Sequence, residues 1–417
     1  MRILKTTFPL LLIFSILLGS CSSQNKIQDP LPLHFKPTVI LVSLDGCRYD
    51  YPRLARTPNL DKIEAAGFKA EGLQTSFPSK TFPNHLSIVT GLYPEHHGII
   101  ANRIYDAEAD EYYTLGGAAV REGKWYQGEP IWVTAEKQGV KTATYFWPGS
   151  EAEINGYRPS YYKAYDGTVP YSERVDKILE WLALPDAKRP QFLTLYFEEP
   201  DLSGHHFGPA STEAIAALED VDKYLGILLD KIQTENLEEK VNVIVVSDHG
   251  MTSLNRNNVI FLDDYIDMNA VRVVDYSAVV AIRPNPEEVE TVYKQLKNAH
   301  PHMQVYRKGE VPEKYHYNDY KFIQPIIGIL DLGWSATTHP YFDSHSNYPS
   351  KGTHGFDPDY KEMNAIFYGK GPAFKKGTRL PVVQNTNIYE LMCAILKITP
   401  APNDGNLEVT KAVLKTN

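Results

Sequence analysis

The chain has 417 residues, 43% hydrophobic and 22% charged, enough apolar material for one large domain or two smaller ones. The formal charge is −9 and no basic block stands out, which argues against a nucleic-acid-binding surface of the usual electrostatic kind. Three cysteines, Cys21, Cys47 and Cys393, make neither a disulfide framework nor a thiolate metal cluster.

Residues 1–20 read as a signal peptide: Arg2 and Lys5 precede the apolar run Leu10 to Leu18, which is too short for a comfortable membrane span. Small residues then lead into Cys21, the pattern of a bacterial lipobox, with a plain cleaved signal or an N-terminal anchor helix as the alternatives. The expectation is a lipid anchor at Cys21 carrying several acyl chains, since one chain holds a membrane only marginally. That would place the protein in the bacterial cell envelope, on the outer membrane facing the periplasm. Residues 21–36 are polar and proline-dotted, as a tether would be. Loss of the signal removes two bases and no acid, which would take the charge from −9 to −11.

After the tether, Val39 to Leu44 is an unbroken apolar run rich in branched residues, the mark of a strand covered on both faces. Phe192 to Phe197 and Val241 to Val246 repeat the pattern, and Ala278 to Ile282 and Ala365 to Tyr368 are shorter candidates. Helical spacing predicts helices over 57–67, 129–139, 172–184 and 212–235. Strands alternating with helices predict an α/β fold with a mostly parallel central sheet and helices on both faces. Residues 284–353 have helical spacing near 287–299, then loops rich in Pro, Tyr and His, and give no clear architecture.

The stretch around Thr81 is organised differently. Pro83 and the apolar positions Leu86, Ile88 and Val89 predict a helix that ends at Gly91, with Thr81 at or just before its first turn. Thr81 could be no more than an N-cap. It could also present its hydroxyl where free backbone N–H groups and the helix dipole favour an anion.

Three apolar strands end in acids: Asp45 after the first, Asp201 close behind the second, and Asp248-His249 after the third. In an open parallel sheet these carboxyl ends converge on one edge, where ligands bind. Asp201 and His205 form D-x-x-x-H, and His354 lies between Gly352 and Gly355. Carboxylate and imidazole donors without thiolate suit zinc, with manganese or iron as alternatives. Six such donors are too many for one tetrahedral ion and suit two ions sharing a nucleophile.

Taken together, VSLDGCR at 42–48, PSKTFPNH at 78–85, GLYPEHHGI at 91–99, Asn102, WPGSE at 147–151, EEPDLSGHHFGP at 198–209, SDHGM at 247–251 and GTHGF at 352–356 resemble the nucleotide pyrophosphatase/phosphodiesterase family of the alkaline phosphatase superfamily, in a bacterial form. The likeness covers about residues 37–400, leaving 401–417 as a C-terminal tail. It implies two zinc ions, one held by Asp201, His205 and His354, the other by Asp45, Asp248 and His249 with the Thr81 oxygen directed at it. It implies Thr81 as the nucleophile of a phospho-threonine intermediate, with Asn102 on the phosphoryl oxygen. Phe82, Tyr165 and Tyr196 would face the rest of the substrate, Phe82 and Tyr165 stacking a base; each could equally be core. His85 and His97 are expected in supporting roles, and Trp125, Trp132 and Trp147 in the core. The expected activity is hydrolysis of nucleotide phosphodiesters and pyrophosphates to nucleoside 5′-monophosphates. A phospholipid or choline-type diester, a phosphonate, and a non-catalytic binding lipoprotein are the competing readings. No protein partner is identifiable.

Overall fold

The structure is a computed structural model and describes residues 36–415. The expectations for the signal, for Cys21 and for nearly all of the tether lie outside the described residues.

Six strands of the large sheet come first: β1 (Thr38–Leu44), β2 (Gly67–Ala70), β3 (Thr142–Tyr145), β4 (Tyr161–Lys163), β5 (Phe192–Phe197) and β6 (Val241–Val246). Four more, β7 (Val271–Asp275), β8 (Val279–Pro284), β9 (Met303–Arg307) and β10 (Ile326–Leu330), form a separate sheet before β11 (Phe367–Lys370) and β12 (Thr378–Leu380) return to the first. The large sheet runs β12-β2-β11-β6-β1-β5-β3-β4. Its pairs are parallel except those of β11, which is antiparallel to both neighbours. β1, β5 and β6 are buried at every residue, as unbroken apolar runs require when both faces are covered.

Alternate residues of β1 divide the core. Ile40, Val42 and Leu44 pack with α1 (Pro58–Ala66) and with helices over Tyr171–Leu182 and Thr212–Thr234, and Val39 and Leu41 pack with α2 (Thr81–Thr90) and a helix over Asn387–Leu396. The expected helix over 129–139 is observed as Ile131–Lys137.

The region that gave no clear architecture holds the second sheet. It is antiparallel throughout, in the order β7-β8-β10-β9, and carries the expected helix as Val289–Leu296. The candidate strand at Ala278 to Ile282 therefore belongs to this sheet and not to the parallel one. Residues 401–415 pack back on the domain, with Thr410 and Val413 buried and the Lys375 N–H donating to Val413 O at 2.8 Å. Cys47 and Cys393 are separate buried thiols.

Candidate active site

The carboxyl ends of β1, β5 and β6 meet at one edge of the sheet. The Asp45 N–H donates to Phe197 O at 3.0 Å, the Asp201 N–H to Asp45 O at 3.1 Å, and the Gly46 N–H to Asp248 Oδ1 at 3.2 Å. Gly46 has φ +64, and a Cβ there would lie 2.7 Å from the Asp201 side chain. Only glycine allows both the left-handed turn and this approach, so the Asp-Gly after β1 brings Asp45 and Asp201 together.

The six expected donors form two groups, Asp45, Asp248 and His249 in one and Asp201, His205 and His354 in the other, each with its ligand-capable atoms within 4.8 Å of one another. His249 Nε2 lies 3.1 Å from Asp248 Oδ2 and 3.5 Å from Asp45 Oδ1, and His205 Nε2 lies 3.4 Å from Asp201 Oδ2. The His249 and His354 rings stack at 3.5 Å and join the groups. Each imidazole places Nδ1 on a backbone carbonyl: His205 on Gly352 O at 2.8 Å, His249 on Gly250 O at 2.9 Å, His354 on Ser79 O at 2.8 Å. An Nδ1–H donor there fixes the tautomer and leaves the Nε2 lone pair facing the site, the usual arrangement of metal-binding histidines. His206 is exposed and stands outside both groups.

The carboxylates fit cations too. Asp45 Oδ1, Asp201 Oδ1 and Asp248 Oδ2 are buried with no hydrogen-bond partner among the described residues, a costly state for an anion unless a cation completes it. Burial, then repulsion from Asp248 and Asp201, pushes the Asp45 carboxyl well above its ordinary range. Burial likewise raises Asp201. Burial and the neighbouring His249 and His205 hold His354 well below the usual imidazole value, leaving it neutral as a ligand must be.

Thr81 is the first residue of α2, and Lys80 occupies the N-cap without a side-chain capping bond. Thr81 is thus not the cap, and its hydroxyl is left for other use: Oγ1 lies 3.3 Å from His249 Nε2. His85, one turn on, places Nδ1 2.9 Å from Thr81 O and 3.3 Å from Asp248 Oδ2, and Nε2 2.8 Å from Ser43 Oγ, tying β1, α2 and an acid of the site together. Asn102 accepts the Phe82 N–H on Oδ1 at 3.0 Å, so its Nδ2–H2 is the end that can donate to a substrate.

Beside Thr81 opens a cleft of about 160 Å³ walled by Phe82, Phe146, Trp147, Tyr165 and Tyr196. Tyr165 is 49% exposed and its hydroxyl donates to Glu198 Oε1 at 3.0 Å, while Arg174, fully buried, grips both oxygens of Glu198 at 2.8 Å. Tyr196 differs from Phe82 and Tyr165. Its ring lines the cleft, but its hydroxyl donates to Asp45 Oδ2 at 2.5 Å. Trp125 and Trp132 are core residues, and Trp147, expected there too, is buried but also walls the cleft and donates its indole N–H to His85 O at 3.2 Å. Arg174 and Glu198 were not singled out from sequence, because a buried ion pair across 24 residues leaves no local pattern.

Fold and site together define a protein with two metal-type donor groups at the carboxyl edge of an α/β sheet and a threonine hydroxyl beside one of them. Residues 39–357 match the family described as type I phosphodiesterase / nucleotide pyrophosphatase, and the chain belongs to that family. It is 41% identical over 397 residues to human ectonucleotide pyrophosphatase/phosphodiesterase family member 1, covering 92% of this chain and 42% of that protein. It is 40% identical over 403 residues to a venom phosphodiesterase of Naja atra, covering 94% and 48%. The chain thus spans less than half the length of these relatives. Among solved structures, murine ectonucleotide pyrophosphatase/phosphodiesterase 5, an inactive Thr-to-Ala variant in complex with AMP, superposes with a TM-score of 0.87 at 35% identity, covering 91% of this chain and 100% of that one.

Proposed function

We propose that the protein hydrolyses nucleotide phosphodiester and pyrophosphate bonds, releasing nucleoside 5′-monophosphates, with two zinc ions held by the two donor groups. The observation that carries this reading is the position of Thr81 Oγ1, at a helix N-terminus, 3.3 Å from His249 Nε2 and at the mouth of an aromatic cleft. The complex of the murine relative with AMP supports a nucleotide as the ligand. Bound there, divalent cations would supply Lewis-acid charge that favours an ionised threonine oxygen and neutralises phosphoryl oxygens.

The chain's own residues then divide the work. Thr81 Oγ1 forms a bond to phosphorus while the bond to the leaving oxygen breaks in line, giving a phospho-threonine that carries the nucleotidyl group. Water then attacks the same phosphorus, the bond between Thr81 Oγ1 and phosphorus breaks, one proton of the water returns to Oγ1, and the nucleoside 5′-monophosphate leaves. Asn102 Nδ2–H2 donates to a non-bridging oxygen. A neutral donor of this kind suits the single negative charge of a diester better than the two of a monoester. Phe82 and Tyr165 sandwich the base, and stacking of this kind contributes roughly 1 to 3 kcal/mol per base and tolerates any base. The same walls would accept a quaternary ammonium by cation–π attraction, which keeps a choline-type diester as the second reading. Anchoring of the protein at Cys21 in a bacterial cell envelope completes the proposal; it rests on the Leu10–Leu18 run and the small residues before the cysteine. Labelled palmitate incorporated by the wild-type chain and not by Cys21→Ala would support the anchor, and equal labelling or none would remove it.

The test of the activity is hydrolysis of thymidine 5′-monophosphate p-nitrophenyl ester beside p-nitrophenyl phosphate and p-nitrophenyl phosphorylcholine. The nucleotide ester should be the fastest, and Thr81→Ala should lower its turnover by at least about 1000-fold while bound zinc stays constant. Faster turnover of phosphorylcholine or of the monoester would overturn the substrate assignment. Turnover that survives Thr81→Ala would overturn the nucleophile.

A further inference from the structure

Lys80, the residue before the nucleophile, turns its side chain away from the cleft. Its ammonium pairs with Asp275, the last residue of β7 in the second sheet, and the two side chains are only 9% and 15% exposed. Asp275 reaches inward because β7 slips register between Val273 and Asp275, a bulge of the kind that re-aims a side chain. The Lys80 stem passes over Gly355, beside His354: a Cβ on Gly355 would lie 3.1 Å from Lys80 Cε and 3.3 Å from its Cγ. Gly355 has φ +103, so the close approach and the backbone turn both require glycine there. The preceding residue completes the connection. Ser79 O accepts the His354 Nδ1–H at 2.8 Å, and Ser79 Oγ donates to Phe356 O at 2.9 Å. Lys80 forms no side-chain cap of α2; Asn84 of the same helix holds Ser76, Pro78 and Lys80 locally, and the contacts to the second sheet and to the His354 loop add the long-range constraint on how the chain enters Thr81.

We propose that the Lys80–Asp275 pair is a positioning clamp, through which the second sheet holds the Thr81 hydroxyl and the His354 imidazole in register with each other. The proposal rests on the reading of Thr81 as the nucleophile. It also gives the second sheet a task in the reaction, since Asp275 is its contribution to the segment that carries Thr81. A buried ion pair of this kind adds little net stability, so its value lies in fixing one geometry.

The experiment compares Lys80→Met, Asp275→Asn and the double variant, all zinc-loaded, for turnover of the thymidine ester and for amide hydrogen exchange over 76–86 and 352–357. Each single variant should lose about 10- to 100-fold in kcat, because a small displacement of reacting groups is costly. KM should stay within about twofold, because substrate contacts are unchanged. The double variant should lose no more than the worse single one, because the two residues act as a unit. It also leaves no lone buried charge, so it answers the question if a single variant fails to fold. Exchange over both segments should speed up in all three. A double variant with wild-type kcat and wild-type exchange, or single losses that multiply in the double, would overturn the clamp. Wild-type protein without Thr81-dependent turnover would remove the proposed function instead, and the exchange rates would still decide the clamp.

Discussion

Asp45, Asp248 and His249 hang from β1 and β6, two neighbouring strands at the middle of the large sheet, and none of the three side chains is more than 3% exposed. Asp201, His205 and His354 offer the same donor types from a seven-residue helix and a loop, and the His205 side chain is 29% exposed. The helix and loop are joined by one backbone bond, Lys351 N–H to His205 O at 3.0 Å, and by the His205 ring, whose Nδ1 lies 2.8 Å from Gly352 O. One group is therefore enclosed in the core, and the other, with Asp201 and His354 buried, reaches the surface at His205. A core-borne group keeps its geometry through local fluctuations, whereas segments with few buried contacts open more readily. The division suits a reaction in which the nucleophile must be fixed and the leaving group must escape.

The largest effect is expected in the core group. Asp248→Asn removes a buried anion that also accepts the Gly46 N–H, so turnover should fall by at least about 1000-fold. Added zinc should not restore it, because the neighbours are locked around a carboxylate. Recovery in excess zinc would show that the core group is as forgiving as the surface one.

His205→Ala should behave differently. Loss of one partly exposed ligand weakens the surface group without disturbing the sheet, so turnover should drop by about 100-fold at limiting zinc and recover largely as zinc is raised. A chelator added to the loaded wild type should draw zinc out in two phases, and activity should vanish with the first. Loss of both ions in one phase would mean that the two groups act as a single unit.

The contrast between the groups also marks what the sequence made legible. Asp45, Asp201, Asp248 and His249 follow unbroken apolar runs, so a parallel sheet alone dictates that they converge, and the structure brings them together. His205 follows from its spacing to Asp201 on one helical turn. His354 lies 153 residues beyond Asp201 in the chain, with two glycines as its sole local signal, and resemblance to a family placed it. β9 and β10 went unread because MQVYR is half-exposed and IIGIL is too short to be told from a helical segment. Asp275 was invisible for the same reason: it owes its position to a bulge in a sheet whose strands carry weak periodicity. Tyr196 was legible as an aromatic at the site but not in its contact. Facing side chains on adjacent parallel strands depend on register, and register is not written in either strand by itself.

That contact gives the smallest and most selective of the expected effects. Tyr196 sits on β5 opposite Ser43 of β1, two residues before Asp45, and this register brings its hydroxyl to Asp45 Oδ2 at 2.5 Å. The bond holds one carboxylate oxygen and turns the other, Oδ1, which has no partner, toward His249 at 3.5 Å. Asp201 has no comparable tyrosine, so the support belongs to the core group alone. Tyr196→Phe keeps the ring in the cleft wall and deletes only the hydroxyl. If the hydroxyl orients Asp45, the variant should bind zinc at the core group about 10-fold more weakly, the low end of what partners of metal ligands contribute. KM for the thymidine ester should stay within about twofold, because the ring still faces the substrate. Zinc titration with a competing chelator, beside steady-state kinetics, separates these two quantities. A large rise in KM with zinc affinity unchanged would return Tyr196 to the substrate and leave Asp45 without its orienting bond, which would make the core group no better supported than the surface one.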